Sequence, residues 1–431
     1  MLLLHLVLFA FFLAGALWLI SRSDFFRIEG IGREYLYGLF LLKVVAGVSL
    51  ILIYTYYYTD PSKADIYRYF NDSVIISKLL FTQPLVWLKI MSGIGIEDAD
   101  AMQALQPTQY FSHPGHDWVT DNTLIISAHV LLNYLSFNNI YINNLCFNFL
   151  SFTGLVALLR FFAPYFSNNC KVLLLPLFLL PSVVFWSSGP LKEQLVFFFL
   201  GIYLTAQSGE MLKPRWFNFV LAIVALTGVA YLKPAVAIVL VLASLFLPVV
   251  NLYDTKRLIA VGLLAAFFVA LAVSFNWHYK ACEVVIEKRN EFITLGLQEN
   301  VGSFFDTRLI EANCSGLFLL LPSAFANSFL RPFVWDDGNL FQMLFALENL
   351  LFLGLLVYLP LRFFQWPIEK EKRLLFAFCF VFALLNYLVI GSTVPIMGAI
   401  VHYRVIAEPF LLIAVLLLCN VSELSLKRKP R

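Results

Sequence analysis

The stretch LLPSVVFWSSGPLKEQLVFFFLGIYL, residues 179–204, decides how this chain is read. Two short apolar runs flank Ser187-Ser188-Gly189-Pro190, and Lys192 and Glu193 follow at once. Gly and Pro break a helix and expose its backbone groups. A pair of short apolar helices interrupted in this way is the sequence pointer to an intramembrane binding site. Pro190 suits the first turn of the returning helix, whose N-terminal amides can hold an anion, and Lys192 adds a positive charge there. The plainer alternative is a tight hairpin in which Lys192 and Glu193 neutralise each other.

Working outward, the rest of the chain has the composition such a hairpin needs. Of its residues 61% are hydrophobic and 13% charged, and the net charge is +3. That balance, without a basic patch carrying interleaved aromatics, argues against nucleic acid. Apolar runs at 2–20, 35–57, 139–163, 172–187, 191–208, 217–232, 235–252, 258–276, 340–361, 374–391 and 402–420 predict an all-α, polytopic membrane protein of about eleven spans. The first run resembles a signal peptide, but it lacks a basic leader and a small-residue cleavage site, so a retained helix with its N-terminus outside is expected.

The basic residues set the orientation. Arg22, Arg27 and Arg33, then Arg160 and Lys171, Lys213 and Arg215, and Lys256 and Arg257 cluster between alternate spans. Arg362, Lys370, Lys372 and Arg373, and the tail residues Lys427, Arg428, Lys429 and Arg431, continue the pattern. With eleven spans all of these fall on the cytoplasmic side. The other side carries loops 58–138 and 277–339. Their apolar segments 74–91, 123–137 and 314–330, the last broken by Pro322, are expected as interfacial or re-entrant helices. No repeat or linker divides the chain, so one membrane domain, 1–431, is expected. Cys282 and Cys314 share the second external loop, where an oxidising compartment allows a disulfide, with two free thiols as the alternative. Cys146, Cys170, Cys379 and Cys419 lie in or beside apolar runs and read as packing residues.

Ionisable groups near the hydrocarbon core cost about 2.5–3.5 kcal/mol each on insertion scales, so those present point to function. On the outer face Asp60, Asp65, Arg68 and Asp72 follow a tyrosine cluster, Tyr56 to Tyr58. A helix there aligns Asp65, Arg68 and Asp72 on one face. The same residues could be a solvated interfacial anchor. Lys192, Glu193 and Lys233 occupy the outer tips of later spans. Arg331 opens the ninth span, with Asp336 and Asp337 after it, and the last span begins with His402, Arg404 and Glu408. Arg404 and Glu408 are spaced to pair, and Lys233 could simply snorkel. His113, His116 and Asp117 are a weak metal pattern, and no metal site is assigned. Lys192, Lys233, Arg331 and Arg404 with Asp60 and Asp65 suit one ligand chemistry: cations for a phosphate or pyrophosphate, and a carboxylate as general base on a hydroxyl.

On these residues the chain resembles the GT-C superfamily of polytopic glycosyltransferases and, more loosely, the Wzy- and EpsG-like polysaccharide polymerases. The resemblance rests on the acidic pair Asp60 and Asp65 opening the first large external loop, on the stretch from Pro181 to Glu193, and on Arg404 before Pro409. It implies that a first-loop Asp is the base and that the donor is a polyprenyl-phosphate sugar or polyprenyl-pyrophosphate glycan. An extra helix before the acidic loop leaves open which Asp that is. The resulting expectation is a glycosyltransferase at the outer face of a bacterial inner membrane, acting in envelope polysaccharide synthesis. Asp65 and Asp60 would be catalytic, and Lys192, Glu193, Arg331, Arg404, Lys233, Arg68 and His402 would bind substrate. Its partners would be the lipid-linked donor, a glycan acceptor and the bilayer. The cofactor is left open, a divalent cation being the option retained. A flippase for lipid-linked glycans and a non-catalytic assembly subunit are the alternatives.

Overall fold

Most of the apolar runs fold as helices because their interiors hold few helix breakers. In the computed structural model the described residues are 2–57, 60–111, 122–166, 169–208, 216–247, 277–298, 304, 308–336, 340–366 and 368–420. The expected span 258–276, the His113/His116/Asp117 loop, Tyr58, Asp337, the clusters at 213–215 and 256–257 and the basic tail lie outside them.

In chain order the helices are α1 Leu2–Arg22, α2 Arg33–Tyr56, α3 Asp65–Thr82, α4 Pro84–Ser92, α5 Ala99–Leu105 and α6 Thr123–Ser136. Then come α7 Ile140–Phe162, α8 Pro181–Trp186, α9 Lys192–Gln207, α10 Trp216–Leu232 and α11 Pro234–Ser244. The last are α12 Trp277–Gln298, α13 Cys314–Leu330, α14 Leu340–Phe363, α15 Lys370–Thr393, α16 Met397–Arg404 and α17 Glu408–Leu417. Among the described residues there are isolated bridges but no strand. The chain divides into two compact units, one of residues 1–164, 177–179 and 184–237, the other of 165–176, 180–183 and 238–431.

Among the described residues five helices are long and apolar enough to cross a membrane: Leu3–Arg22, Arg33–Tyr56, Ile140–Phe166, Leu340–Phe363 and Lys370–Thr393. They number six if α16 and α17, bent by 53° at their break, count as one span. Eleven spans are not found among the described residues, and the reasons are local. The run 172–187 is a 3-10 turn Cys170–Leu173, a π turn Leu175–Leu179 and α8. Pro176 and Pro181 each lack the N–H that would continue an α-helix through it. Helices α9 and α10, with 16 and 17 residues, rise about 25 Å, short of the roughly 30 Å hydrocarbon core. In the last run Pro409 opens α17 after a turn at 405–407. Pro322, expected to break its segment, lies inside α13 instead.

In the first unit α7 and α9 pack backbone to backbone. A Cβ on Gly201 would overlap the Gly154 carbonyl, and one on Gly154 would overlap the Phe197 carbonyl. Against lipid, where burying apolar surface gains little, such close approach and interhelical hydrogen bonds carry association. A buried ladder adds the bonds: Asn143 Nδ2 donates to Asn133 Oδ1 at 2.7 Å, and Asn133 Nδ2 to Ser73 Oγ at 2.9 Å. Asn139 starts α7, its side chain accepting from the amides of Tyr141 and Ile142.

In the second unit the Ser328 hydroxyl of α13 donates to the Tyr387 carbonyl of α15 at 2.7 Å. Cys282 of α12 and Cys314 of α13 are disulfide-bonded, with Cα atoms 5.0 Å apart. Non-reducing peptide mapping is therefore expected to recover the two cysteine peptides joined. Free thiols at both positions, in protein taken from the oxidising side of the membrane, would overturn the pairing.

Candidate functional site

Asp60 is exposed and caps the 3-10 turn Pro61–Lys63, accepting from the Ser62 amide at 3.1 Å and the Ser62 hydroxyl at 2.6 Å. Asp65, five residues on, sits in the first turn of α3, where a carboxylate also suits the helix dipole. It does not pair directly with Arg68. Tyr110 donates its hydroxyl to Asp65 Oδ1 at 2.9 Å, and Arg68 Nη1 donates to the same phenol oxygen at 2.7 Å. The Arg68 guanidinium also lies 5.0 Å from the centre of the Tyr110 ring. Burial first, and the Asp65 charge next, hold the Tyr110 phenol above its ordinary pKa, with Arg68 opposing. The phenol stays protonated and remains a donor.

Asp72, two turns further along α3, fixes Tyr110. It is 1% exposed and accepts three backbone amides, those of Gln109, Tyr110 and Phe111, at 2.8, 2.7 and 2.9 Å. A carboxylate suits three amide donors because it only accepts. Asp72→Asn turns one acceptor into a donor facing an amide, and hydrogen bonds to charged groups contribute about 1.5–3 kcal/mol each. Amide exchange at 109–111 is expected to speed up at least tenfold in that variant, and unchanged protection would refute the clamp.

The break at 187–190 reaches the same cluster through Tyr69, whose ring centre is 5.6 Å from that of Tyr110 and 5.8 Å from the Lys192 ammonium. Glu193, 1% exposed, pairs with Lys233 at 2.7 Å. This joins the start of α9 to the junction of α10 and α11, and snorkelling does not describe Lys233. The Ser187-Ser188 turn is itself anchored. Lys43, buried midway along α2, donates to the Ser187 carbonyl at 2.7 Å, the Ser187 hydroxyl at 2.6 Å and the Ser188 hydroxyl at 3.1 Å. Asn148 and Ser151 of α7 take the Ser188 and Ser187 carbonyls at 2.8 and 3.1 Å. Gly47 admits this turn, since a Cβ there would overlap the Ser188 carbonyl.

The second unit holds Arg331, His402 and Arg404. Arg331 pairs with Asp336 at 2.8 Å, and Asp336 also accepts the Phe333 amide at 2.8 Å. Arg404 is 1% exposed, pairs with Glu408 at 2.7 Å and donates to the Arg331 carbonyl. Glu348 of α14 takes both the amide and the hydroxyl of Ser182. His402 packs beside Tyr403 on α16, their ring centres 5.2 Å apart.

The sequence reading passed over Tyr110, Lys43 and Glu348. Lys43 was legible as a charge inside the run 35–57; Tyr110 carried no signal of its own. No group of three or more His, Cys, Asp or Glu side chains that could hold a metal ion occurs among the described residues. No protein-family model, curated protein or solved structure matches the chain.

Proposed function

We propose that this chain is a multi-pass membrane glycosyltransferase of the GT-C kind, working at the outer face of a bacterial inner membrane in envelope glycan synthesis. One observation carries the reading: a carboxylate at a helix start, Asp65, held by a neutral phenol and neighboured by cations, with Lys192 one ring away. Asp65 takes the proton of an acceptor hydroxyl as that oxygen bonds to the anomeric carbon of the donor sugar. The bond from that carbon to the phosphate oxygen breaks, and the polyprenyl phosphate leaves with the electron pair. Arg68 and Lys192 offset the charge developing on the phosphate.

A second reading, a non-catalytic assembly subunit, is favoured by the Lys43 anchor, whose donors are all spent on fixing the 187–188 turn. A transfer assay separates the two. Membranes containing the protein, supplied with a radiolabelled polyprenyl-phosphate sugar, are expected to move label into a glycan acceptor. Membranes from cells lacking it should not. Equal transfer with and without the protein would refute the enzyme and leave the assembly role.

A further inference from the structure

We propose that Tyr110 is the positioning residue of this site: its phenol stands between Asp65 and Arg68, orienting the carboxylate while keeping the guanidinium from neutralising it. The inference rests on Asp65 serving as the base. Asp and Arg three residues apart on a helix are close enough to pair directly. Here both hydrogen bonds go to the phenol instead, at 2.9 Å from Asp65 and 2.7 Å from Arg68. A guanidinium in direct contact would favour the charged carboxylate and weaken it as a base. The neutral phenol fixes one oxygen, Oδ1, without placing a full positive charge against the carboxylate. The other oxygen, Oδ2, makes no hydrogen bond among the described residues and is left for the acceptor hydroxyl.

The spacer is built to hold its place. Its own amide and both neighbouring amides are bound by the buried Asp72 carboxylate. Its ring packs on Tyr69, which is 4% exposed. Among the described residues, the ionisable groups joined through the phenol at Asp65 are Arg68 on its own helix and Tyr110 from the 109–111 segment. Beyond Tyr69 comes Lys192 at the start of α9. Within this set the Tyr110 hydroxyl alone bonds both members of the acid–base pair.

Tyr110→Phe tests the idea in the full chain in native membranes. The ring, its packing and the Asp72 clamp remain, and only the hydroxyl goes. The expected result is a fall in kcat of roughly ten- to a hundredfold with KM little changed, the size of effect that misplacing a reacting group produces. The acid limb of the kcat profile should move to lower pH as Arg68 closes on Asp65, and should move back up in Tyr110→Phe/Arg68→Met. A readout independent of turnover is carbodiimide coupling at Asp65, followed by mass spectrometry across pH. Its midpoint should fall in the single variant and rise in the double one. If Asp65→Asn is inactive while Tyr110→Phe keeps wild-type rate and profile, Tyr110 only packs and the inference is overturned with the enzyme reading intact. A lowered rate with an unmoved profile and labelling midpoint also overturns the spacer. If Asp65→Asn transfers normally, the enzyme reading fails, and the labelling midpoints alone decide whether Tyr110 separates the two charges.

Discussion

Asp65→Asn is expected to lower sugar transfer roughly 10²–10⁴-fold, the usual contribution of a general base. The protein is expected to stay folded in the membrane. Asn keeps the shape of the side chain and an oxygen for the Tyr110 hydroxyl. The start of α3 does not depend on Asp65 for a cap, because Ala64 holds the capping position. What the substitution removes is the ability to take a proton. Asp60→Asn is expected to be mild by contrast, since Asn caps a turn about as well as Asp and keeps an oxygen for the Ser62 amide and hydroxyl. Glycan output from cells whose only copy carries each variant, with membrane protein level as control, measures the difference. Near-normal output with Asp65→Asn would sink the site. Loss with Asp60→Asn alone would keep the enzyme and move the base.

Arg404→Ala acts on stability before it acts on binding. From sequence Arg404 was a phosphate ligand in waiting. In the fold its guanidinium is 1% exposed, its Nε pairs with Glu408 and its Nη1 with the Arg331 carbonyl. Truncating it leaves the Glu408 carboxylate buried without that partner, a loss of about 3–5 kcal/mol. Replacing both partners, as Arg404→Met with Glu408→Leu, should cost much less, because no uncompensated charge remains. Thermal unfolding in detergent, read as monodisperse protein surviving heating, checks both. An Arg404→Ala protein as heat-stable as wild type but poor in donor binding would restore Arg404 to the phosphate site.

The sequence by itself determined the class of the chain and where its helices are interrupted. Unbroken runs such as 35–57 can only be helices in lipid, because no other single segment satisfies its own backbone there. Ser187-Gly189-Pro190 announced a break, and the three-residue spacing of Asp65 and Arg68 put them on one face. Among the described residues some apolar runs are broken rather than single spans, because hydropathy registers apolar length but not the missing amides of Pro176, Pro181 and Pro409. Partner choice was beyond it altogether. Glu193 pairs with Lys233, which comes from the junction of α10 and α11. Tyr110 reaches Asp65 across 45 residues of chain, and Lys43 reaches Ser187 across 144. Such contacts depend on the rotation and depth at which helices pack, which side-chain volumes and close backbone crossings such as Gly154 with Gly201 set together. Only the tertiary structure could therefore decide which partner each of these rare charges takes.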